Sequence, residues 1–328
     1  MTRTRWAVLG TVLLVAQSVG CVSYPARASV GFRETIALDR AIDLDGIRKI
    51  VVETPKGTIE IQGDPQRKDI QIEAERWSRG LTEQEARTQA ERIRVEVRRE
   101  PARSSLLRIV ARLPLTEPSR DQGVHFRITV PTGPSLALKS AYGRIEVTDA
   151  VNDLDIDTKY GDVSVLKTRG KVRARTRYGD VAADRVDGEL DVGTRHGDIE
   201  LTEVRADRIK AHTSFGDIRA EQVHGAADLQ TRHGFVKLRA LSVPERPEIK
   251  AITSFGRVEV EVPRTVQARL RMHTDFGDID ADLKGVAVTD LRSEHRTLAV
   301  TVNGGGGSID METRHGSVRF RTTEGGGP

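Results

Sequence analysis

The sequence is poor in the residues that build disulfides, large aromatic cores and membrane spans. It contains one cysteine, Cys21, so no disulfide can form within the 328-residue chain and no cysteine-based metal site can be built. Aromatic residues make up 4% of the chain. The apolar run over residues 6–16 is too short to form a membrane-spanning helix. Stability must therefore come from an apolar core and from repeated contacts between backbone segments.

The N-terminus is typical of an exported protein. Residues 1–20 place two arginines before the short apolar run and small residues after it, which predicts a signal sequence. Residues 18–21, SVGC, resemble the bacterial lipobox, so Cys21 is predicted to be the lipidated mature N-terminus and the membrane anchor. Ser18 stands where the lipobox usually has Leu, and cleavage after Ala28 is an alternative that would release a secreted chain.

A four-residue motif recurs in the second half of the chain. It reads Thr or Ser, any residue, an aromatic residue or His, and then Gly, with the glycines at positions 143, 161, 179, 197, 216, 234, 256, 277 and 316. Successive glycines are 18 to 22 residues apart up to Gly277, and the following gap of 39 residues leaves room for a degenerate copy at TVNG, 301–304. A period near 20 residues is the signature of a solenoid.

Each copy of the motif joins two short strands. In LDVGTRHGDIEL, around Gly197, apolar and polar residues alternate on both sides of a Gly-Asp turn. The repeat therefore predicts an all-β fold, a parallel β-helix (solenoid) of about 18–22-residue coils over residues 136–320. A stack of antiparallel hairpins is the alternative, because such turns also close hairpins.

Stacked coils would place equivalent side chains above one another. The aromatic and His members share the inward parity of Thr, which predicts one internal ladder of rings beside a column of threonine hydroxyls. The predicted ladder consists of Tyr142, Tyr160, Tyr178, His196, Phe215, His233, Phe255, Phe276 and His315. The histidines stand where other copies have Tyr or Phe, so we interpret them as rungs and predict no metal or catalytic role. Rings facing inward could not stack with bases, so no nucleic-acid partner is expected.

The rest of the chain is predicted to be less regular. Residues 22–48 are interpreted as a tether and a first strand, and 49–135 as an irregular β section that caps the solenoid. Within it, TPKG weakly repeats the motif, and a capping box of Thr82 and Glu85 predicts one short helix. Residues 321–328 are predicted to be a flexible tail.

Two rows of charged residues follow the repeat. The aspartates after the turn glycines favour turn hydrogen bonding over a calcium site, since the tight Gly-rich nonapeptide of calcium-binding repeats is missing. They are Asp162, Asp180, Asp198, Asp217 and Asp278. A possible basic binding stripe at outward parity could offset the repulsion between them, and it consists of Lys159, Arg177, Arg195, Arg232 and Arg314. Because 52 basic residues exceed 48 acidic ones by only four, a merely solvated face is favoured, and weak attraction to anionic envelope polymers is the alternative.

The repeated motif, the opening ETPKGTIEIQG, the segment VPTGPSLALKSAYGRIEV and the closing TVNGGGGSIDMETRHGSVRF together resemble the bacterial adhesin-like family DUF4097. The resemblance covers about residues 45–320. It implies a β-helical protein exposed in the cell envelope.

These features favour a non-enzymatic envelope lipoprotein that serves binding or scaffolding and needs no cofactor. The expected partners are the membrane, through the lipid anchor, and anionic envelope polymers or another envelope protein. No catalytic motif is found, although β-helices do host enzymes. A carbohydrate-active enzyme acting on acidic polysaccharide along the solenoid face is therefore an alternative. The enlarged links, 242–248 and 289–297, are short and polar, which disfavours the functional insertion that such enzymes usually need. An envelope-stress regulatory module is a further alternative.

Overall fold

The computed structural model describes residues 30–100, 103–114 and 121–324, which form 26 strands and one helix. The predicted signal sequence, the lipidation site Cys21 and the cleavage site after Ala28 lie outside the described residues. No helix in the described ranges is both long and apolar enough to span a membrane.

The N-terminal part contains seven strands and the helix. They are β1 (Val30–Asp43), β2 (Lys49–Lys56), β3 (Ile59–Gly63), β4 (Asp69–Gly80), α1 (Glu83–Glu91), β5 (Arg94–Glu100), β6 (Arg103–Arg112) and β7 (Gln122–Val130). The regular coils follow as β8 (Ser135–Tyr142), β9 (Ile145–Thr148), β10 (Leu154–Tyr160), β11 (Val163–Arg169), β12 (Val172–Arg175), β13 (Val181–Asp187), β14 (Leu190–Gly193), β15 (Ile199–Thr202), β16 (Arg205–His212), β17 (Ile218–Gln230), β18 (Val236–Ser242), β19 (Glu248–Ile252) and β20 (Val258–Pro263). The C-terminal part contains β21 (Ala268–Phe276), β22 (Ile279–Asp282), β23 (Val288–Glu294), β24 (Thr297–Val302), β25 (Gly307–His315) and β26 (Val318–Thr323).

Equivalent strands of neighbouring coils pair in parallel and in register. Ile156, for example, is the register partner of Leu138 in one neighbouring coil and of Ala174 in the other. All three are buried, and inward residues of this kind form one apolar core that runs from Ile47 to Phe320. The predicted all-β parallel solenoid is thus confirmed, and the alternative of stacked antiparallel hairpins is wrong for the repeats.

At each end of the solenoid, the order of the coils in space differs from their order in the sequence. One coil there lies between two other coils that follow one another in the sequence. The coil β2–β3 lies between β6–β7 and β8–β9, with Lys56 in register with Tyr142. Residues 49–63, predicted as part of an irregular cap, therefore form a coil of the stack. At the other end, β25–β26 lies between β19–β20 and β21–β22.

The C-terminal insertion explains the wide gap between the last two motifs. After β22 the chain leaves the stack, forms the antiparallel strands β23 and β24, and then returns to insert β25–β26. The prediction of a degenerate coil at 301–304 is therefore wrong, because β24 runs antiparallel along β21.

The N-terminal end is closed by antiparallel strands and the helix. Strand β4 pairs with β7 and β1, so that part of the predicted tether is a 14-residue strand. The helix begins at the predicted capping box: Thr82 Oγ1 accepts from Glu85 N at 3.2 Å, and Glu85 Oε2 accepts from Leu81 N at 3.0 Å. Its buried residues include Ala86 and Ala90, and it packs against β4 and β1.

Candidate functional site

The motif forms one corner of every regular coil. Its threonine is buried, and the hydroxyl donates to the glycine carbonyl of the neighbouring coil, as Thr176 Oγ1 does to Gly161 O at 2.9 Å. The motif glycine has a left-handed backbone, with φ of +149° at Gly179. A Cβ atom on Gly179 would lie 2.3 Å from the carbonyl oxygen of Gly161, so only glycine fits where the corners approach each other.

The nine predicted rungs form a single stack of rings, here called the ring column. Neighbouring ring centroids are 4.8–5.0 Å apart and the ring planes are within 17° of parallel. In spatial order the ring column consists of Tyr142, Tyr160, Tyr178, His196, Phe215, His233, Phe255, His315 and Phe276. The last two are out of sequence order because His315 belongs to the inserted coil.

The prediction that these rings face inward is wrong. The Tyr and Phe rings of the column are between 38% exposed, at Tyr160, and 59% exposed, at Phe276. At five rungs, from Tyr178 to Phe255, the chain bends at the residue between Thr and the ring, so the alternation of the preceding strand stops there, whereas at the other four the strand continues to the ring. Thr176 thus points into the core while Tyr178, two residues later, lies outside. The rings are accordingly part of the solvent-facing surface.

The ring column exposes ring edges instead of ring faces. Each internal ring has a neighbour on both faces, and the outer face of Phe276 carries the guanidinium of Arg296 with its central carbon 5.1 Å from the centroid. The edge of an aromatic ring is the electropositive part of its quadrupole. The ring edges form a ridge in which the phenylalanines present weakly electropositive C–H groups, the tyrosines hydroxyls and the histidines nitrogens. Stacking of a planar ligand on internal ring faces is blocked by neighbouring rings.

The row of aspartates on one side of the ring column is held by backbone amides. The carboxylates of the first four accept from the amide one coil further on: Asp180 N donates to Asp162 at 3.0 Å, Asp198 N to Asp180 at 2.8 Å and Asp217 N to Asp198 at 2.8 Å. Phe235 N ends this series on Asp217 at 3.0 Å. This is the turn-type hydrogen bonding that the sequence favoured.

The predicted source of charge compensation for these aspartates is wrong. The ion pairs of the row come from Arg144, 3.6 Å from Asp162, and from Arg219, 3.2 Å from Asp217 and 3.9 Å from Asp198. In the part of the chain that the structure describes, no member of the basic stripe forms an ion pair with these aspartates. Across the described ranges, no three His, Cys, Asp or Glu side chains are arranged to hold a metal ion.

The predicted basic stripe lies on the other side of the ring column and is exposed; it is here called the basic row. Arg314 pairs with Asp275 at 3.9 Å, and Lys159 Nζ lies 5.4 Å from the ring centroid of its neighbour Tyr160. Among the described residues, the guanidinium groups of Arg177, Arg195 and Arg232 have no ion-pair or hydrogen-bond partner. Lys159, Arg177 and Arg195 thus place a cation at the same position of the motif in three consecutive coils, and the coil with Ser214 separates them from Arg232.

A third column of charges, which the sequence analysis missed, behaves differently. It occupies the residue three positions before each motif Thr, on the outer face of the solenoid, and its sign alternates from coil to coil. In spatial order it consists of Asp155, Arg173, Asp191, Lys210, Asp228, Lys250, Asp310 and Arg271. Alternation places opposite charges beside each other in the sheet, which is the stabilising arrangement. The fixed offset from the motif was the signal that could have revealed it.

One enlarged link lines a cavity away from the ring column. The start of the 242–248 link contributes to a cavity of about 910 Å³, in which His224 Nδ1 lies 2.6 Å from Ser242 Oγ. Burial, together with the charge of Arg205, lowers the pKa of His224. Within the described part of the chain, no carboxylate hydrogen-bonds to this imidazole, so the pair lacks the third member of a catalytic triad.

Comparisons with known proteins identify similar structures and a family. A solved structure of a "putative cell adhesion protein" from Clostridium sporogenes is 9% identical to the chain and has a TM-score of 0.24, with 90% of this chain and 100% of that chain covered. A solved structure of a "putative adhesin" from Bacteroides fragilis is 10% identical and has a TM-score of 0.38, with 91% of this chain and 99% of that chain covered. Among curated proteins no match is found. The profile of the family described as Toastrack DUF4097 matches residues 47–321. The chain belongs to the Toastrack DUF4097 family.

Proposed function

We propose that the chain is a non-enzymatic binding protein of the cell envelope that holds anionic polymers along the basic row. The observation that carries this proposal is the contrast between two columns of charge. The column that begins at Asp155 alternates in sign over eight coils, whereas Lys159, Arg177 and Arg195 place like charges in three consecutive coils. Like charges at this spacing repel one another, so they do not stabilise the fold.

A polyanion would relieve this repulsion. Its charged groups could lie along the basic row, where Arg177, Arg195 and Arg232 have no other partner in the described part of the chain. The weakly electropositive edges of the phenylalanine rings would add to the attraction, and the aspartates beyond the ring column would keep the polymer on the basic side. Each contact is weak on an exposed surface, but many contacts along one rod act together.

The envelope location rests on the N-terminal sequence. The signal sequence over residues 1–20 and the lipobox-like SVGC support an anchor at Cys21, so that the solenoid would be displayed from a membrane. Cleavage after Ala28 remains the alternative and would give a secreted binding protein. Mass spectrometry of the mature N-terminus distinguishes the two, since only the first product begins with a lipidated cysteine.

Binding to dextran sulfate, with uncharged dextran as the control polymer, tests the proposal. The variant K159S/R177S/R195S uses the residue that the chain itself has at Ser214 and Ser254. We expect it to bind dextran sulfate about tenfold more weakly than the wild type, with a smaller dependence on salt.

The control variant K167S/R169S/R185S removes the same charge from another corner of the solenoid and should bind as the wild type does. Equal losses in the two variants would show that net charge alone is responsible, and the proposal would fail. It would also fail if the wild type bound dextran sulfate no better than dextran.

A second candidate function is a carbohydrate-active enzyme, which the cavity beside Ser242 and His224 favours. A hydroxyl within hydrogen-bond distance of a neutral imidazole is the start of a nucleophilic site. A turnover screen on acidic polysaccharides, with Ser242→Ala as the comparison, tests this candidate.

For the regulatory alternative, pull-down from envelope extract would have to retrieve one specific membrane protein.

A further inference from the structure

We propose that three histidines in the ring column make the basic row pH-responsive, so that the chain binds anionic polymers more tightly as the pH falls from about 7.5 to about 5.5. This inference rests on the proposed function and adds its regulation. The residues are His196, His233 and His315, and each would add a positive charge beside the basic row when protonated.

The position of each imidazole keeps its nitrogens accessible. Each lies between two carbocyclic rings, with centroids 4.8–4.9 Å away on both sides. His196 and His233 are half-buried and His315 is exposed. Among the described residues, none of the three side chains has a hydrogen-bond partner. Their nitrogens can therefore take up a proton from solvent and donate it to a ligand on the ridge.

Charges of both signs surround the three imidazoles. Those on the same and adjoining coils are Arg177, Asp180, Arg195, Asp198 and Asp217 around His196; Asp217, Arg232 and Arg257 around His233; and Arg257, Asp275, Asp278 and Arg314 around His315. The surface around the three rings therefore carries charges of mixed sign. A cation between two aromatic faces is favoured by the ring quadrupoles, and an imidazolium in the ring column would lie between two such faces and beside the basic row.

The charge of the basic row itself is constant in this range, because Lys and Arg stay protonated. The histidines are therefore the part of the surface that can respond. Each exposed contact between an imidazolium and the polyanion contributes a modest binding free energy. Together, three such contacts beside the basic row should increase the affinity about tenfold. By thermodynamic linkage, the bound polyanion must in turn make the imidazoles easier to protonate.

The test is the affinity for dextran sulfate at about pH 7.5 and about pH 5.5, since the sulfate groups remain charged at both. The variant H196F/H233F/H315F keeps the ring column intact, because Phe215, Phe255 and Phe276 occupy the same position in other coils. We expect the wild type to bind about tenfold more tightly at the lower pH, and the variant to bind equally at both.

Two outcomes would overturn the inference: a wild type whose affinity does not change with pH, or a variant that keeps the full change. Wild-type binding that is independent of pH would leave the proposed function standing, whereas absence of binding at both pH values would remove both. Should the triple variant fail to fold, the single change His233→Phe must reduce the response, and NMR titration of the wild-type imidazoles must show their midpoints rising when dextran sulfate is added.

Discussion

Tyr178 and His196 stack face to face on the outside of the solenoid, with ring centroids 4.9 Å apart and ring planes 4° apart. Each belongs to a different coil, and the contact repeats the backbone register of the sheet, in which the two residues form an isolated parallel bridge. The ring column is therefore a second, external set of contacts between coils, in addition to the core.

Removal of one ring should weaken the fold without abolishing it. Tyr178→Ala loses the stacking contacts with Tyr160 and His196, so we expect the free energy of unfolding to fall by about 1–3 kcal/mol. Chemical denaturation measures the change. Tyr178→Phe keeps both contacts and should be close to neutral, and a similar loss in both variants would contradict the assignment of the stabilisation to stacking.

Two threonines make a matched pair with opposite expected effects. Thr168 is buried with an unpartnered hydroxyl, and its register partner Val186 shows that valine fits this column. Thr168→Val should therefore stabilise the protein by about 1 kcal/mol, because an unsatisfied polar group leaves the core. Thr176→Val should destabilise it by about 1 kcal/mol, since the bond to Gly161 O is lost. Urea denaturation of both variants checks the signs, and equal signs would refute the argument.

The motif glycine should tolerate no side chain. Gly179→Ala would place a methyl group against the carbonyl of Gly161 in a left-handed backbone conformation, so we expect a loss of about 4 kcal/mol or more. Gly31→Ala is the control, because nothing lies within 4 Å of a Cβ atom there. Thermal unfolding of the two variants should differ widely, and comparable melting temperatures would be incompatible with the close approach of the coils.

His125 should make the N-terminal end sensitive to mild acid. Its Nδ1 accepts from Thr58 N at 3.1 Å, which requires an unprotonated nitrogen. Burial lowers the pKa of His125, the charge of Arg33 lowers it further, and Glu75 opposes both. The folded state therefore binds fewer protons than the unfolded state, and stability falls as the pH drops below about 6.5 toward the lowered pKa.

The variant His125→Gln removes this titration. We expect its free energy of unfolding to depend less on pH between about 7 and about 5 than that of the wild type. The exposed His295→Gln serves as the control and should leave the wild-type slope unchanged. An unchanged slope in His125→Gln would show that the acid sensitivity arises elsewhere.

The repeat was sufficient to predict parallel coils and a continuous ring column, because Thr, ring and Gly recur at a nearly constant spacing and parallel stacking aligns them. The outward direction of the rings was not predictable from alternation. A bend after Thr176 and four equivalent threonines interrupts the period of two, and rings such as Tyr160 are exposed although their strand continues to the ring. The inserted coils were not predictable because each lies beside coils that are distant from it in the sequence. His315 of one inserted coil, for example, stacks on Phe255. The alternating charges were visible at a fixed offset from Thr and were overlooked.

Because the first and the last coil are each locked beneath a neighbour, the rod is closed at both extremities. A coil added or removed in the middle, between β9 and β19, where each coil contacts its immediate predecessor and successor, would leave both ends of the solenoid unchanged. Every such unit would lengthen the external stack by one step of 4.8–5.0 Å and add one position for a cation. The number of internal units thus sets the length of the ring column and of the basic row beside it.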